Sequence, residues 1–146
     1  MKIFLDTSSL FKLYHQESGT KELEGVFLQN KVTHIYLSEI TKVEFTSTVW
    51  KKVRTKDITP EQAEVTLELF ERDFDKFNFV TTNSLILEQA RYLTSKYGID
   101  GLRTLDSIQL STCVSLAKQV DVFFSADKLM KVFIESENLQ TEIPGR

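Results

Sequence analysis

The sequence predicts an α/β fold in which a twisted parallel β-sheet is flanked by α-helices on both faces. Short runs rich in apolar, β-branched and aromatic residues recur at positions 2–5, 33–37, 77–81 and 120–124. The segments between them carry apolar residues at the three-and-four spacing of a helix. Strands separated by helices pair in parallel through crossover connections, and such a sheet is covered on both faces.

Each element has its own signal. Lys2–Leu5 reads as a short buried strand ended by Asp6-Thr7-Ser8-Ser9, polar residues suited to a helix N-cap. Leu10, Phe11 and Tyr14 then fall at helical spacing. A helix over 20–29 places Leu23, Val26 and Phe27 on one face. After the strand at 33–37, Ser38 is a cap candidate, and Ile40, Val43, Val49, Trp50 and Val53 recur along the next helix. That helix ends in Lys51-Lys52-Val53-Arg54-Thr55-Lys56, where positive charge complements the helix dipole. Thr59-Pro60-Glu61-Gln62 is a capping box with proline at the first helical position. It opens a helix carrying Val65, Leu69 and Phe70 towards Phe74. Past the strand at 77–81, helices are predicted over 83–97, closed by the stretch 98–101, and over 104–119. The strand at 120–124 leads into a helix over 127–137 and an edge strand over 139–143.

Composition bounds the function classes. With 146 residues, 41% hydrophobic and 27% charged, the chain suits a single domain spanning 1–146, and neither a disordered nor a membrane protein. The apolar run before Asp6 is too short for a signal peptide, so a soluble cytoplasmic protein is expected. Cys113 is the sole cysteine, which excludes an internal disulfide. The 18 basic and 21 acidic residues do not advertise a nucleic-acid binder. Acids gathered around a cation, however, would leave the remaining surface slightly positive.

Four acids draw attention by position. In open α/β folds ligands bind beyond the carboxyl ends of the strands. Asp6 follows the first strand and Asp127 sits just after the last. Taken singly, each acid has a structural explanation: Asp6 and Asp127 as N-caps, Asp106 as a first-turn charge, Glu44 as a surface residue. Asp106, however, shares a helical face with Leu110, Cys113 and Ala117, which points its carboxylate inwards. Glu44 has Ile40 one turn before it and Ser47 and Thr48 one turn after, which leaves room above it. Clustered carboxylates raise one another's pKa unless a divalent cation satisfies them. An oxygen-only set suits Mg²⁺ or Mn²⁺ rather than Zn²⁺.

These residues lie in segments that resemble the PIN-domain family. Ile3-Phe4-Leu5-Asp6-Thr7-Ser8 is similar to the family's opening hydrophobic-Asp-Thr/Ser motif. Ser38-Glu39-Ile40-Thr41-Lys42-Val43-Glu44-Phe45 resembles the segment with its second acid, matched by Glu44. Leu102-Arg103-Thr104-Leu105-Asp106-Ser107-Ile108-Gln109-Leu110 resembles the Asp-centred helix start. Phe124-Ser125-Ala126-Asp127 matches the Thr/Ser-x-Asp after the last core strand. Ser107, Ser111 and Thr112 depart from the usual small apolar residues, small for small. Length and layout look most like the VapC-type toxins of toxin–antitoxin pairs.

The resemblance implies a PIN-like fold and a metal-dependent endoribonuclease, the toxin of a type II pair, restrained by a cognate antitoxin and forming a homodimer. One or two Mg²⁺ or Mn²⁺ ions would be held by Asp6, Glu44 and Asp106, with Asp127 completing the set or acting through water. Ser8 and Ser125 would orient a carboxylate or a water. Lys12, Lys42, Lys51, Lys52 and Arg103 adjoin the acids in sequence and are candidate RNA contacts. His15 and His34 lack metal-ligand partners at useful spacing, and Cys113 reads as a core thiol. The stretch from Phe70 to Phe79 is mostly core, with a surplus of rings that would suit a dimer or antitoxin surface.

Other readings explain less. A receiver-type phosphotransfer domain leaves Glu44 and Asp106 without a role, and a haloacid-dehalogenase-type phosphatase needs an acid where Ser8 stands. A non-catalytic PIN-like module, or an RNA-processing or DNA nuclease of the same fold, remains the alternative.

Overall fold

Alternation along the first strand divides the core in two. Phe4 points to one face of the sheet, while Ile3 and Leu5 point to the other, and all three are fully buried. The structure, a computed structural model, describes residues 1–143. Its strands are β1 (Lys2–Leu5), β2 (His34–Ser38), β3 (Asn78–Val80) and β4 (Val122–Phe124). They form one parallel sheet in the order β3-β2-β1-β4, so β1 is central. Register sets Phe4 opposite Tyr36 on one side and Phe123 on the other.

The helices are α1 (Thr7–Phe11), α2 (Thr20–Gln29), α3 (Thr41–Arg54), α4 (Pro60–Arg72), α5 (Ser84–Tyr97), α6 (Thr104–Ser115) and α7 (Lys128–Ser136). The first four pack Leu10, Leu23, Phe45, Val49, Ala63 and Phe70 against Ile3 and Leu5. The last three pack Leu93, Leu110, Cys113, Met130, Phe133 and Ile134 against Phe4 and Phe123. Phenyl rings bind the first layer together, with Phe45 and Phe70 at 4.2 Å between ring centroids and Tyr14 edge-on to both. The expected fold class is therefore observed, as is the capping box: Thr59 accepts from Gln62 N at 3.1 Å, and the Gln62 side chain accepts from Thr59 N at 2.9 Å.

Several boundaries and faces differ from expectation. The first helix stops at Phe11, and Tyr14 lies in the following turn with its hydroxyl donating to Asp73 at 2.5 Å. Ser38 ends β2 rather than capping α3, whose N-cap position is Ile40. The buried line of α3 is Thr41, Phe45 and Val49, and Val43 is 73% exposed. In α4, Ala63 and Phe70 are buried while Val65 and Leu69 face outwards. The sixth helix ends at Ser115, leaving Ala117 in a turn and exposed. No strand forms over 139–143; the Gln140 carbonyl instead accepts from Phe123 N at 2.8 Å, beside the edge strand β4.

The position of Phe45 makes it a test of the layer beneath Glu44. Phe45→Ala is expected to cost about 3–5 kcal/mol of stability in urea unfolding. Val43→Ala, two residues away on the exposed face, is expected to cost less than about 0.5 kcal/mol.

Candidate active site

Asp6 is fixed first, because the strand that ends beside it is the centre of the sheet. Its backbone N–H donates to the Phe124 carbonyl at 3.2 Å, extending the pairing with β4. Its side chain caps α1: Oδ1 accepts from Ser9 N at 2.9 Å and from the Ser8 hydroxyl at 2.7 Å. Ser8 Oγ in turn accepts from Ala126 N at 3.0 Å, which ties the start of α1 to the loop before α7. Burial raises the Asp6 pKa, against the opposing hydroxyls of Ser125 and Ser8 and the amide of Ser9.

The other acids arrive from three helices. Glu44 stands in the first turn of α3, half-buried, and its Oε1 accepts from Thr7 Oγ1 at 2.9 Å and from Gln109 Nε2 at 2.8 Å. Burial raises its pKa; the hydrogen bonds from Gln109 and Thr7 oppose the rise, and the charges of Asp106 and Asp6 add to it. Asp106, in the first turn of α6, is raised by burial and then by Asp127, with Arg103 opposing. Asp127 is exposed and caps α7 by accepting from Met130 N at 2.9 Å. Among the described residues none of the four acids is in an ion pair.

All four acids line one cleft of about 590 Å³. Two of them therefore cap helices and face the cleft at once. Among the described residues, no three His, Cys, Asp or Glu side chains are close enough to hold one ion by themselves.

The remaining sequence-predicted residues divide. Ser8, Lys51 and Lys52 line the same cleft, the lysines at its α3 end. Lys52 Nζ is 3.9 Å from Asp57 and 6.0 Å from the centre of the Phe11 ring. Ser125 lies outside the lining, with its hydroxyl accepting from Asp127 N at 3.1 Å. Lys12 lines a separate hollow and donates to Glu17 and to the Ser18 carbonyl. Lys42 sits over the rings of Phe79 and Phe74, at 4.4 and 5.0 Å, away from the cleft. Arg103, at the N-cap position of α6, is also outside the lining. Cys113 is fully buried, and burial pushes its thiol well above the usual range.

Sequence reasoning missed Thr7 and Gln109. Gln109 is 3% exposed, and its amide nitrogen also reaches Thr41 Oγ1 at 3.0 Å and Thr7 Oγ1 at 3.2 Å. Its spacing of three from Asp106 places both on one helical face, a signal available beforehand. Thr7 lies within the Asp-Thr-Ser motif, beside Asp6 in sequence, but its hydroxyl serves Glu44 from across the fold.

A family model described as the PIN domain matches residues 3–133, and the chain belongs to that family. Solved structures share the fold. The FitAcB structure from Neisseria gonorrhoeae is 14% identical, with 97% of each chain covered and a TM-score of 0.72. VapBC2 from Rickettsia felis, bound to a DNA fragment from its promoter, is 19% identical over 97% of this chain and 98% of that one, at 0.62. VapC20 from Mycobacterium tuberculosis, described as a sarcin-ricin loop cleaving toxin, is 14% identical over 89% and 93%, at 0.68. No curated protein sequence matches the chain.

The raised carboxyls carry a pH signature. A carboxyl whose pKa is higher folded than unfolded binds its proton more tightly in the folded state. Its burden on stability is absent below the ordinary values of 3.8 and 4.5 and grows as pH rises through the raised ones. Asn retains the N-cap of α1 without the charge. Asp6→Asn is therefore expected to raise the melting temperature in EDTA at pH 7, with the gain fading as pH falls towards 4. Thermal unfolding across pH checks this; equal melting temperatures at pH 7 would refute a burial cost on the ionised Asp6 carboxyl.

Proposed function

We propose that the chain is a metal-dependent endoribonuclease of the VapC type, the toxin of a type II toxin–antitoxin pair. The observation that carries this reading is the convergence of Asp6, Glu44, Asp106 and Asp127 on one cleft, three of them pushed towards protonation by burial and none in an ion pair among the described residues. Negative charge so arranged suits a divalent cation, and the donors are oxygens throughout. Mg²⁺ binds through one or two carboxylates, keeping several waters and taking the rest of its ligands from substrate phosphate. A wide cleft with no closed three-carboxylate cage among the described residues fits that preference.

Asp6, Glu44 and Asp106 would hold the metal, one ion or two, with Asp127 completing the set directly or through water. Each ion would take one or two of these carboxylates, with water and substrate phosphate filling the rest of its shell. When bound, such an ion lowers the pKa of water and offsets charge developing on a phosphoryl oxygen. The chain's own residues orient the carboxylates: Ser8 and Ser9 hold Asp6, and Thr7 and Gln109 hold Glu44. Lys51 and Lys52 stand about two turns of α3 beyond Glu44, where they can neutralise the phosphates of a single strand leaving the scissile bond.

RNA is the preferred substrate because a protein of the same fold is described as a toxin cleaving the sarcin-ricin loop. A cognate antitoxin is the expected partner, since a further structure of this fold is described as a toxin–antitoxin complex. A homodimer built from one such nuclease domain per chain completes the proposal, in the cytoplasm; no helix among the described residues is long and apolar enough to cross a membrane.

The test is incubation with a single-stranded RNA oligonucleotide in Mn²⁺ or EDTA, alongside Asp6→Asn. Cleavage in Mn²⁺ alone, abolished in the variant, is expected. RNA binding with no cleavage would make the chain a binding module, and cleavage confined to DNA would make it a deoxyribonuclease. Lys51→Ala/Lys52→Ala is expected to raise KM with little change in kcat. It should also flatten the dependence of log KM on log salt by about 0.7 for each phosphate that the lysines no longer neutralise.

A further inference from the structure

Gln109 joins three elements that are far apart in sequence. Its amide nitrogen stands 2.8 Å from Glu44 Oε1, 3.0 Å from Thr41 Oγ1 and 3.2 Å from Thr7 Oγ1. Thr7 Oγ1 is itself 2.9 Å from Glu44 Oε1 and 3.2 Å from Thr41 Oγ1. An amide nitrogen has two protons and a hydroxyl one. The amide protons go to its two nearest acceptors, Glu44 and Thr41. The Thr41 proton then goes to Thr7, and the Thr7 proton to Glu44. Every proton is used, and Glu44 Oε1 accepts twice.

The amide is held in this sense, because turning it over would set its oxygen against the Glu44 carboxylate. Its own oxygen is left buried with no hydrogen-bond partner among the described residues, a state that folded chains ordinarily avoid. An apolar side chain of the same length would fill the space without orphaning an acceptor. Packing alone therefore does not explain the glutamine, whereas the bond to Glu44 does. Gln109 and Asp106 also share α6, so one hydrogen bond fixes Glu44 relative to a second acid of the cleft.

We propose that Gln109 is a positioning residue of the site, holding Oε1 of Glu44 so that Oε2 is left as the metal ligand. This rests on the metal-dependent reading above. The experiment is calorimetric titration of Mn²⁺ into the full chain, with thermal unfolding of the same samples, for the wild type, Gln109→Met and Thr41→Val. Both variants break the buried network, but only the first touches Glu44. Gln109→Met is expected to weaken Mn²⁺ binding about 10- to 100-fold. Thr41→Val is expected to lower the melting temperature and leave Mn²⁺ affinity unchanged. Wild-type affinity in Gln109→Met overturns the proposal, and so does an equal loss in both variants, which would make the network purely architectural. Should Gln109→Met fail to fold, Gln109→Asn withdraws the amide by one methylene and is read in the same way. A wild-type chain that takes up no Mn²⁺ overturns the metal-dependent reading itself, an outcome distinct from wild-type-like binding in the variant.

Discussion

Negative charge held in a partly dry cleft is the constraint on which the rest of this structure depends. A carboxylate removed from water costs several kcal/mol or so unless something compensates it. Asp6 follows the fully buried Leu5, and its side chain's hydrogen-bond partners among the described residues are hydroxyls and a backbone amide. Such groups orient a carboxylate without neutralising it. The same holds for Glu44, whose partners are a threonine and a glutamine. The sheet and its two helical layers supply the rigidity that keeps these charges together. Phe45 illustrates how: it is the neighbour of Glu44 in α3, and its ring is locked between Phe11, Tyr14 and Phe70.

Period was legible in the sequence more reliably than phase. The bounds of β1 and α2 follow directly from the pattern, since both depend on local runs. In α3 the spacing announces a helix but not which side is buried. Val43 looks like a core residue by composition, yet the buried line runs through Thr41, whose hydroxyl belongs to the Gln109 network. In α4 the same ambiguity leaves Val65 and Leu69 outside while Ala63 goes in. A polar residue on the buried line defeats any assignment of faces by hydrophobicity alone.

The cleft was legible to the extent that its members sit at chain landmarks. Asp6 and Asp127 follow strands that pair with each other, so parallel pairing brings their segments together. Glu44 and Asp106 open helices, and their motifs marked them. Contacts made across the fold were not legible: Gln109 meets Thr7 from 102 positions away. Adjacency in sequence also misled. Lys12 and Lys42 lie near acids along the chain, but one is tied to Glu17 and the other lies over phenyl rings. A lysine side chain is long enough to leave its neighbours, so its destination depends on what the fold places within reach.

The segment after α7, expected as a strand, meets the β4 backbone through the Gln140 carbonyl. Just beyond, Thr141 is buried and donates to Glu135 at 2.6 Å, which anchors the segment to α7. An unpaired strand border is a template for pairing with other chains. With β3 and β4 both three residues long, and the backbone of β4 met by this tail, the sheet offers little border on which a second copy could grow. Protection of the β4 border thus comes from a segment that does not line the cleft.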